Sequence, residues 1–270
     1  MFKRLGIEVE YHAIEISELK IKVADANHAD IIRPSNDVVD FADQIEFDHY
    51  DIILCGFTCT SLSSQGNRSG WDGESKIFFD CLKIVEGIRE TNPEVLFFFE
   101  NVHSMKNANR DEISRLLGVK PYLGEAGKVS VQDRNRYYWF NWNHPLIEAQ
   151  GIDPRSVLDE DGLALFSFSK SNRNKKGQPA IVEGRFKANG KAGTLVTGKG
   201  CKGQSTVTQV MTKKMKVRDL TPSECARLQG LGNYTWPCSE MEIYTCIGEG
   251  WQCDFVLEIF KQSPLTRYKK

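Results

Sequence analysis

The sequence predicts an α/β protein, a parallel sheet with helices on both faces, joined by a smaller loop-rich module. Three observations lead there. Over the first 145 residues, short apolar runs that stop at glycine or polar residues alternate with stretches of helical spacing. The composition, 40% hydrophobic and 26% charged in 270 residues, is that of an ordinary globular chain, enough for one large domain with a small companion. From Lys170 to Lys216 the pattern changes to a glycine-punctuated stretch with twelve lysines and arginines and a single acid, Glu183.

The elements follow in order. Residues 9–16 form an apolar stretch that ends around the acidic Glu15, and 19–28 read as a helix. Residues 51–56 (DIILCG) are a short apolar run stopped by glycine, which suits a buried parallel strand. Residues 77–89 have helical spacing, with Ile77, Cys81, Ile84 and Ile88 on one side. Asn92-Pro93 breaks that helix, and 95–99 (VLFFF) is the next strand. In sheets of this kind chemistry gathers at the C-terminal strand ends. The basic stretch 170–216 has the bias of a phosphate-facing surface, or of a solvated insertion. Beyond it, Thr221-Pro222-Ser223-Glu224 reads as a capping box with proline in the first turn. Residues 248–260 read as a last amphipathic helix. The resulting division is 1–145, 146–216 and 217–270.

Composition also excludes classes of protein. A formal net charge of −1 makes any nucleic-acid surface local rather than global. No apolar run is long enough to span a membrane, and the first residues lack the apolar core of an export signal. The expected compartment is therefore the cytoplasm. The eight cysteines (Cys55, Cys59, Cys81, Cys201, Cys225, Cys238, Cys246 and Cys253) form no CxxC pair, so reduced thiols are expected and no metal site.

Three clusters carry chemistry. In Gly56-Phe57-Thr58-Cys59 a cysteine follows a parallel strand, where a nucleophile can sit, although cysteines at strand ends usually just pack. In Phe99-Glu100-Asn101-Val102 a carboxyl lies just past an apolar strand, where partial desolvation suits it to proton donation; a turn acid or helix cap is the plainer reading. In Gln132-Asp133-Arg134-Asn135-Arg136, strand alternation would put Gln132, Arg134 and Arg136 on one face, able to orient a carboxylate and a heterocycle carbonyl; an exposed edge strand is the alternative.

GFTC, FENV and QDRNR, in this order, resemble the motifs of the cytosine-C5 DNA methyltransferase family, G-[FS]-P-C, E-N-V and Q-x-R-x-R. The stretch from Arg218 to Gly230 resembles the family's R-x-L-T-P-x-E-x-x-R-L-Q-G motif, and Gly248-Glu249-Gly250-Trp251 its last, G-N-[SG]-[VW]. The resemblance covers nearly the whole chain.

It implies a Rossmann-like S-adenosylmethionine-dependent methyltransferase sheet (1–145), a target-recognition module (146–216) and C-terminal helices returning to the catalytic domain (217–270). It implies Cys59 as the nucleophile that attacks cytosine C6, Glu100 as the proton donor at N3, and Arg134 as the guanidinium that steadies O2 and holds the glutamate. For the cofactor it implies Glu15 on the ribose hydroxyls, Asp37 on the adenine amino group, and Ile77, Glu249 and Trp251 around the pocket. For double-stranded DNA and the flipped base it implies Phe57, Arg136, Lys175, Lys176, Arg185 and Lys187. Such relatives work in a bacterial cytosol or that of a phage-infected host.

The sequence departs from the pattern in three places. The family opens with a strand and a Phe-x-Gly-x-Gly turn, whereas Met1-Phe2-Lys3-Arg4-Leu5-Gly6 resembles the stretch just after that turn, so the first strand is expected to be missing from the sheet. Thr58 replaces the proline before the nucleophile, and Glu249 replaces an asparagine. An active methyltransferase, an enzyme whose missing strand comes from a partner chain, and an inactive DNA-binding relative all fit at this point.

Overall fold

The computed structural model of the chain describes residues 1–44, 47–58, 62, 71, 73–169, 191–195 and 206–268. Three short helices come first: α1 (Phe2–Leu5), α2 (Glu18–Asp25) and α3 (Val38–Ala42). The first sheet then builds from β1 (Ile52–Gly56), α4 (Ile77–Thr91), β2 (Leu96–Val102), α5 (Asn107–Leu117), β3 (Tyr122–Glu125) and β4 (Asn135–Phe140). Its order is β1-β2-β4-β3. The helical crossover through α4 makes β1 and β2 parallel. From β3 to β4 the connection is short, so the chain turns back, and β4 inserts antiparallel between β2 and β3. The expected purely parallel sheet is therefore mixed.

Both faces of this sheet are covered. Alternation along β2 sends Leu96 and Phe98 to one face and Phe97 and Phe99 to the other. The first face packs Tyr138 and Phe140 of β4 against Leu5, Ile7 and α8 (Cys253–Phe260). On the second, Trp139 meets Phe78, Leu82 and Val85 of α4 and Ile113 and Leu117 of α5. Phe97, Phe98 and Phe99 are all fully buried, each worth about 1.5–3 kcal/mol relative to exposure. This is the doubly wound arrangement expected of the repeating apolar pattern.

A second, antiparallel sheet comprises β5 (Gly162–Ser169), β6 (Thr206–Thr212) and β7 (Val217–Asp219). Helices α6 (Pro222–Leu228), α7 (Glu240–Glu249) and α8 follow. The Thr221–Glu224 capping box forms as expected, with both reciprocal bonds present. Other elements differ from expectation. Residues 9–16 form no strand and pair only through a single parallel bridge, His12 to Ile32. The helix expected at 19–28 runs instead from Glu18, capped by Ser17, to Asp25, three residues short of its expected end. Residues 248–260 are not one helix. Gly250 is extended and ends α7, and the Gln252 side chain restarts the chain as α8 by accepting from Phe255 N. Gln132 and Arg134 precede β4 instead of lying on it, and Gln132 forms an isolated bridge with Ala192. No helix among the described residues is long and apolar enough to cross a membrane.

Candidate active site

Strand register builds the centre of the site. Gly56, the last residue of β1, pairs with Glu100 near the end of β2. Beyond Gly56 the chain is pinned twice: Asn101 Nδ2 donates to Phe57 O (3.0 Å), and Ser75 Oγ donates to Thr58 O (2.8 Å). Both clamps are buried. They fix the course of the chain one residue short of Cys59, which itself lies outside the described residues. The Phe57 ring is buried against Phe78 and Phe99. The expectation that Phe57 faces a base is thus corrected: its side chain belongs to the core, and only its backbone borders the site.

The guanidinium on Glu100 belongs to Arg136. Its Nε lies 3.0 Å from Glu100 Oε1, with the two side chains only 13% and 12% exposed. Arg134, expected to hold the glutamate, does other work. Its guanidinium donates to Leu195 O (2.8 Å), Gly248 O (3.0 Å) and Gly250 O (2.8 Å). The reason is the start of β4. Because the strand begins at Asn135, Arg136 sits opposite Val102, one same-face step from the Glu100–Tyr138 pair, while Arg134 lies in the preceding loop. Burial, together with the Glu100 charge, pushes the Tyr138 hydroxyl far above the ordinary tyrosine range, so it stays neutral at this position.

Beside Gly56 stands Trp251. A Cβ on Gly56 would meet the indole Nε1 at 3.0 Å, so glycine is what lets the ring close on the strand end. The ring also meets Phe98 edge-on, with centroids 5.3 Å apart. Glu249, the last residue of α7, forms an ion pair with Lys20 (2.9 Å), and Lys20 reaches Glu15 at 3.8 Å. Burial alone would lower the Lys20 pKa, but the hydrogen bond to Glu249 and the charges of Glu15 and Glu249 outweigh it and raise the value. Glu15 is oriented from its own segment by Ser17 N (2.9 Å). Two of the expected cofactor residues, Glu15 and Glu249, are thereby brought together by Lys20, which the sequence reading missed, while Trp251, two residues beyond Glu249, packs on Gly56 and Phe98. A lysine early in α2 gives no sequence signal for such a role, because its partner Glu249 lies at the other end of the chain. Asp37 caps α3 by accepting from Val39 N (2.9 Å), and Ile77 packs half-buried at the start of α4. No described contact joins these two to the cluster around Lys20.

Two of the described thiols are held back from the thiolate form. Cys55 is buried, and its hydrogen bond with Cys81, then burial, hold its pKa well above the usual thiol range. Cys246 is pushed up to about 11 by burial and by the nearby Cys238 and Glu249. No disulfide joins the described cysteines. Lys175, Lys176, Arg185 and Lys187 lie outside the described residues.

A partly exposed indole, two carboxylates and an apolar strand end form a donor set suited to a nucleoside: hydroxyls for the acids and a flat ring or thioether for the indole. The sequence model of the C-5 cytosine-specific DNA methylase family matches residues 2–127. The type II methyltransferase M.CviJI of Paramecium bursaria Chlorella virus IL3A is 33% identical over 146 residues, half of this chain and 37% of the relative. The type II methyltransferase M.Bsp6I of a Bacillus strain is 23% identical over 218 residues, 67% of each. The chain thus spans little more than a third of the first relative and two thirds of the second. The crystal structure of the S. pombe Dnmt2 methyltransferase superposes with a TM-score of 0.67 at 15% identity, covering 96% of this chain and 92% of that one. The Spodoptera frugiperda DNMT2 mutant gives 0.64 at 15%, covering 96% and 94%. The fold is that of these methyltransferases, a Rossmann-like sheet.

Proposed function

We propose that this chain transfers a methyl group to C5 of cytosine in double-stranded DNA, with Cys59 as the nucleophile. The observation that carries the reading is the register of Gly56 with Glu100, which sets a carboxyl bonded to Arg136 beside the strand end that leads into Cys59. The match of residues 2–127 to the cytosine-specific methylase family supports the same reading.

Cytosine C5 is a weak nucleophile, so the ring must first be activated. The Cys59 thiolate adds to C6, forming a C–S bond and moving an electron pair toward N3 and O2. Glu100 shares a proton with N3 as charge develops there, and the Arg136 guanidinium offsets charge at O2 while holding the carboxyl in place. S-adenosylmethionine, when bound, supplies the electrophilic methyl. Loss of the C5 proton to a base then breaks the C–S bond and returns the thiolate. Glu15 would accept the ribose hydroxyls, Asp37 the adenine amino group, and Ile77, Glu249 and Trp251 would line the pocket. The target base must leave the duplex stack to reach Glu100. Residues 1–145 form the catalytic domain in this reading, 146–216 the target-recognition module and 217–270 the returning helices. Lys175, Lys176, Arg185 and Lys187 of the module contact phosphates.

The test is Cys59→Ala, with labelled methyl counted in duplex DNA and duplex affinity measured in parallel. Methyl transfer is expected to fall to background while duplex affinity stays within about twofold, since one neutral side chain carries little of the phosphate-dominated binding. Retained transfer would remove Cys59 as the nucleophile and the reading with it, because Cys55 is buried and bonded to Cys81.

A further inference from the structure

Trp251 closes the strand end from the link between α7 and α8. At the end of α7 the Gly250 N–H donates to Cys246 O and Ile247 O, and Arg134 donates to Gly248 O and Gly250 O. A residue at the end of α6 adds to these bonds on both sides of the indole. Gln229 Nε2 donates to Ile247 O (2.9 Å) and to Gly250 O (2.6 Å). On the other side of Trp251, Gln229 O accepts from Cys253 N (2.8 Å). One residue therefore bonds the chain both immediately before Trp251 and two residues after it.

Gln229 is itself immobilised. Its side chain is fully buried, and its Oε1 accepts from Gln132 Nε2 (2.8 Å). Gln132 also receives Leu195 N on its Oε1 (3.2 Å). Both the nitrogen and the oxygen of the Gln229 amide are engaged, which is the condition under which a buried polar network specifies one geometry. The geometry specified is that of Gly250, Trp251 and, through Gly250, Glu249.

We infer that Gln229 is a positioning residue: by bonding the chain on both sides of Trp251 it sets the indole against Gly56 and so shapes the nucleoside end of the pocket. The pocket's identity rests on the function proposed above; the placement of Trp251 does not.

The experiment uses the full chain labelled with 5-fluorotryptophan, with the Trp251 fluorine line assigned by Trp251→Phe. Two variants each remove one arm. Gln229→Met keeps the volume and loses the amide. Cys253→Pro removes the N–H that bonds Gln229 O, at the first position of α8, where proline is accepted. Tyr244→Phe serves as the comparison, since it removes a buried hydroxyl bond from α7 to Leu220 O and leaves every Gln229 bond in place. The expected result is that Gln229→Met and Cys253→Pro shift or broaden the Trp251 line, whereas Tyr244→Phe leaves it where it is and the Trp142 line holds in all three. A Trp251 line unmoved in both arm variants overturns the inference. So does a shift of all the tryptophan lines together in every variant, which a general loss of core packing would give.

The second readout is ligand affinity. With S-adenosylhomocysteine as the calorimetric probe, Gln229→Met is expected to weaken binding about tenfold, the effect of one lost neutral hydrogen bond. Its KM for S-adenosylmethionine should rise in step while kcat stays within about twofold, since Gln229 would act only through the cofactor wall. A fall in kcat at unchanged KM would overturn the assignment. Failure of the unaltered chain to bind the probe would remove the proposed cofactor, and the fluorine lines would still decide whether Gln229 places Trp251.

Discussion

At the scale of single residues, the instructive case is the pair of arginines in QDRNR. Spacing puts both on one strand face, so nothing in the sequence says which one reaches Glu100. The answer depends on where β4 begins, and it begins at Asn135. Arg136 then stands in register beside Glu100, and Arg134 turns to three carbonyls. The two should fail differently when changed. Arg136→Met removes a charge from the reacting centre and is expected to lower kcat by about 10²-fold or more, the usual cost of losing one preorganised electrostatic partner, and to lower Tm as well, because it leaves the largely buried Glu100 without its cation. Arg134→Met takes the guanidinium donor from Leu195 O and Gly248 O and leaves Gly250 O to Gln229 alone, and it is expected to cost about 1–3 kcal/mol of stability, read as a lower Tm. If Arg136→Met keeps its kcat, or if the two variants exchange these phenotypes, the catalytic assignment of Arg136 fails.

At the scale of elements, what was legible was local. The DIILCG strand, the helix from Ile77, the VLFFF strand and the Thr221–Glu224 box each depend on a few neighbouring residues, and each appears where its pattern predicts. What was not legible depends on distant partners. Nothing near residues 135–140 announces that their strand will insert between β2 and β3. The break in 248–260 arises because carbonyls after Ile247 are bonded by Gln229 and Arg134 instead of continuing the helix. Glu224 shows the same limit. As a capping-box acid it reads as a surface residue, but it is fully buried. It accepts from Thr221 N, from Asp159 N and from both terminal nitrogens of Arg218. It thereby ties the start of α6 to β7 and to the segment before β5. Removing one partner of a buried ion pair strands the other charge, so Arg218→Leu is expected to destabilise by about 3–5 kcal/mol. Adding Glu224→Gln to Arg218→Leu should recover much of that loss, because the stranded charge is gone. Denaturant unfolding of the single and double variants measures it; a double variant less stable than Arg218→Leu alone would mean that the clamp's worth lies in its hydrogen bonds and not in charge neutralisation.

At the scale of the whole molecule, charge is the property that no single element carries. The net charge is −1, so a nucleic acid approaching from a random direction meets no general attraction. The basic residues are nevertheless concentrated between Lys170 and Lys216. The described stretch 191–195 within that segment docks on the segment that leads into β4. Ala192 exchanges backbone bonds with Val131 and Asp133, and Leu195 O receives Arg134, which also holds Gly250 next to Trp251. A segment anchored at that point can present its lysines to phosphates without losing its place relative to Glu100. If it does, binding should follow counterion release. Every phosphate that a lysine no longer neutralises takes about 0.9 off the slope of log K against log salt for duplex DNA. Changing Lys175, Lys176 and Lys187 together to alanine should therefore flatten that slope by about 2 to 3 and weaken binding alike for any duplex sequence. Titrations of one duplex at several salt concentrations give the slope directly. An unchanged slope would turn the basic segment away from the nucleic acid, and the phosphate grip would then have to come from lysines outside it.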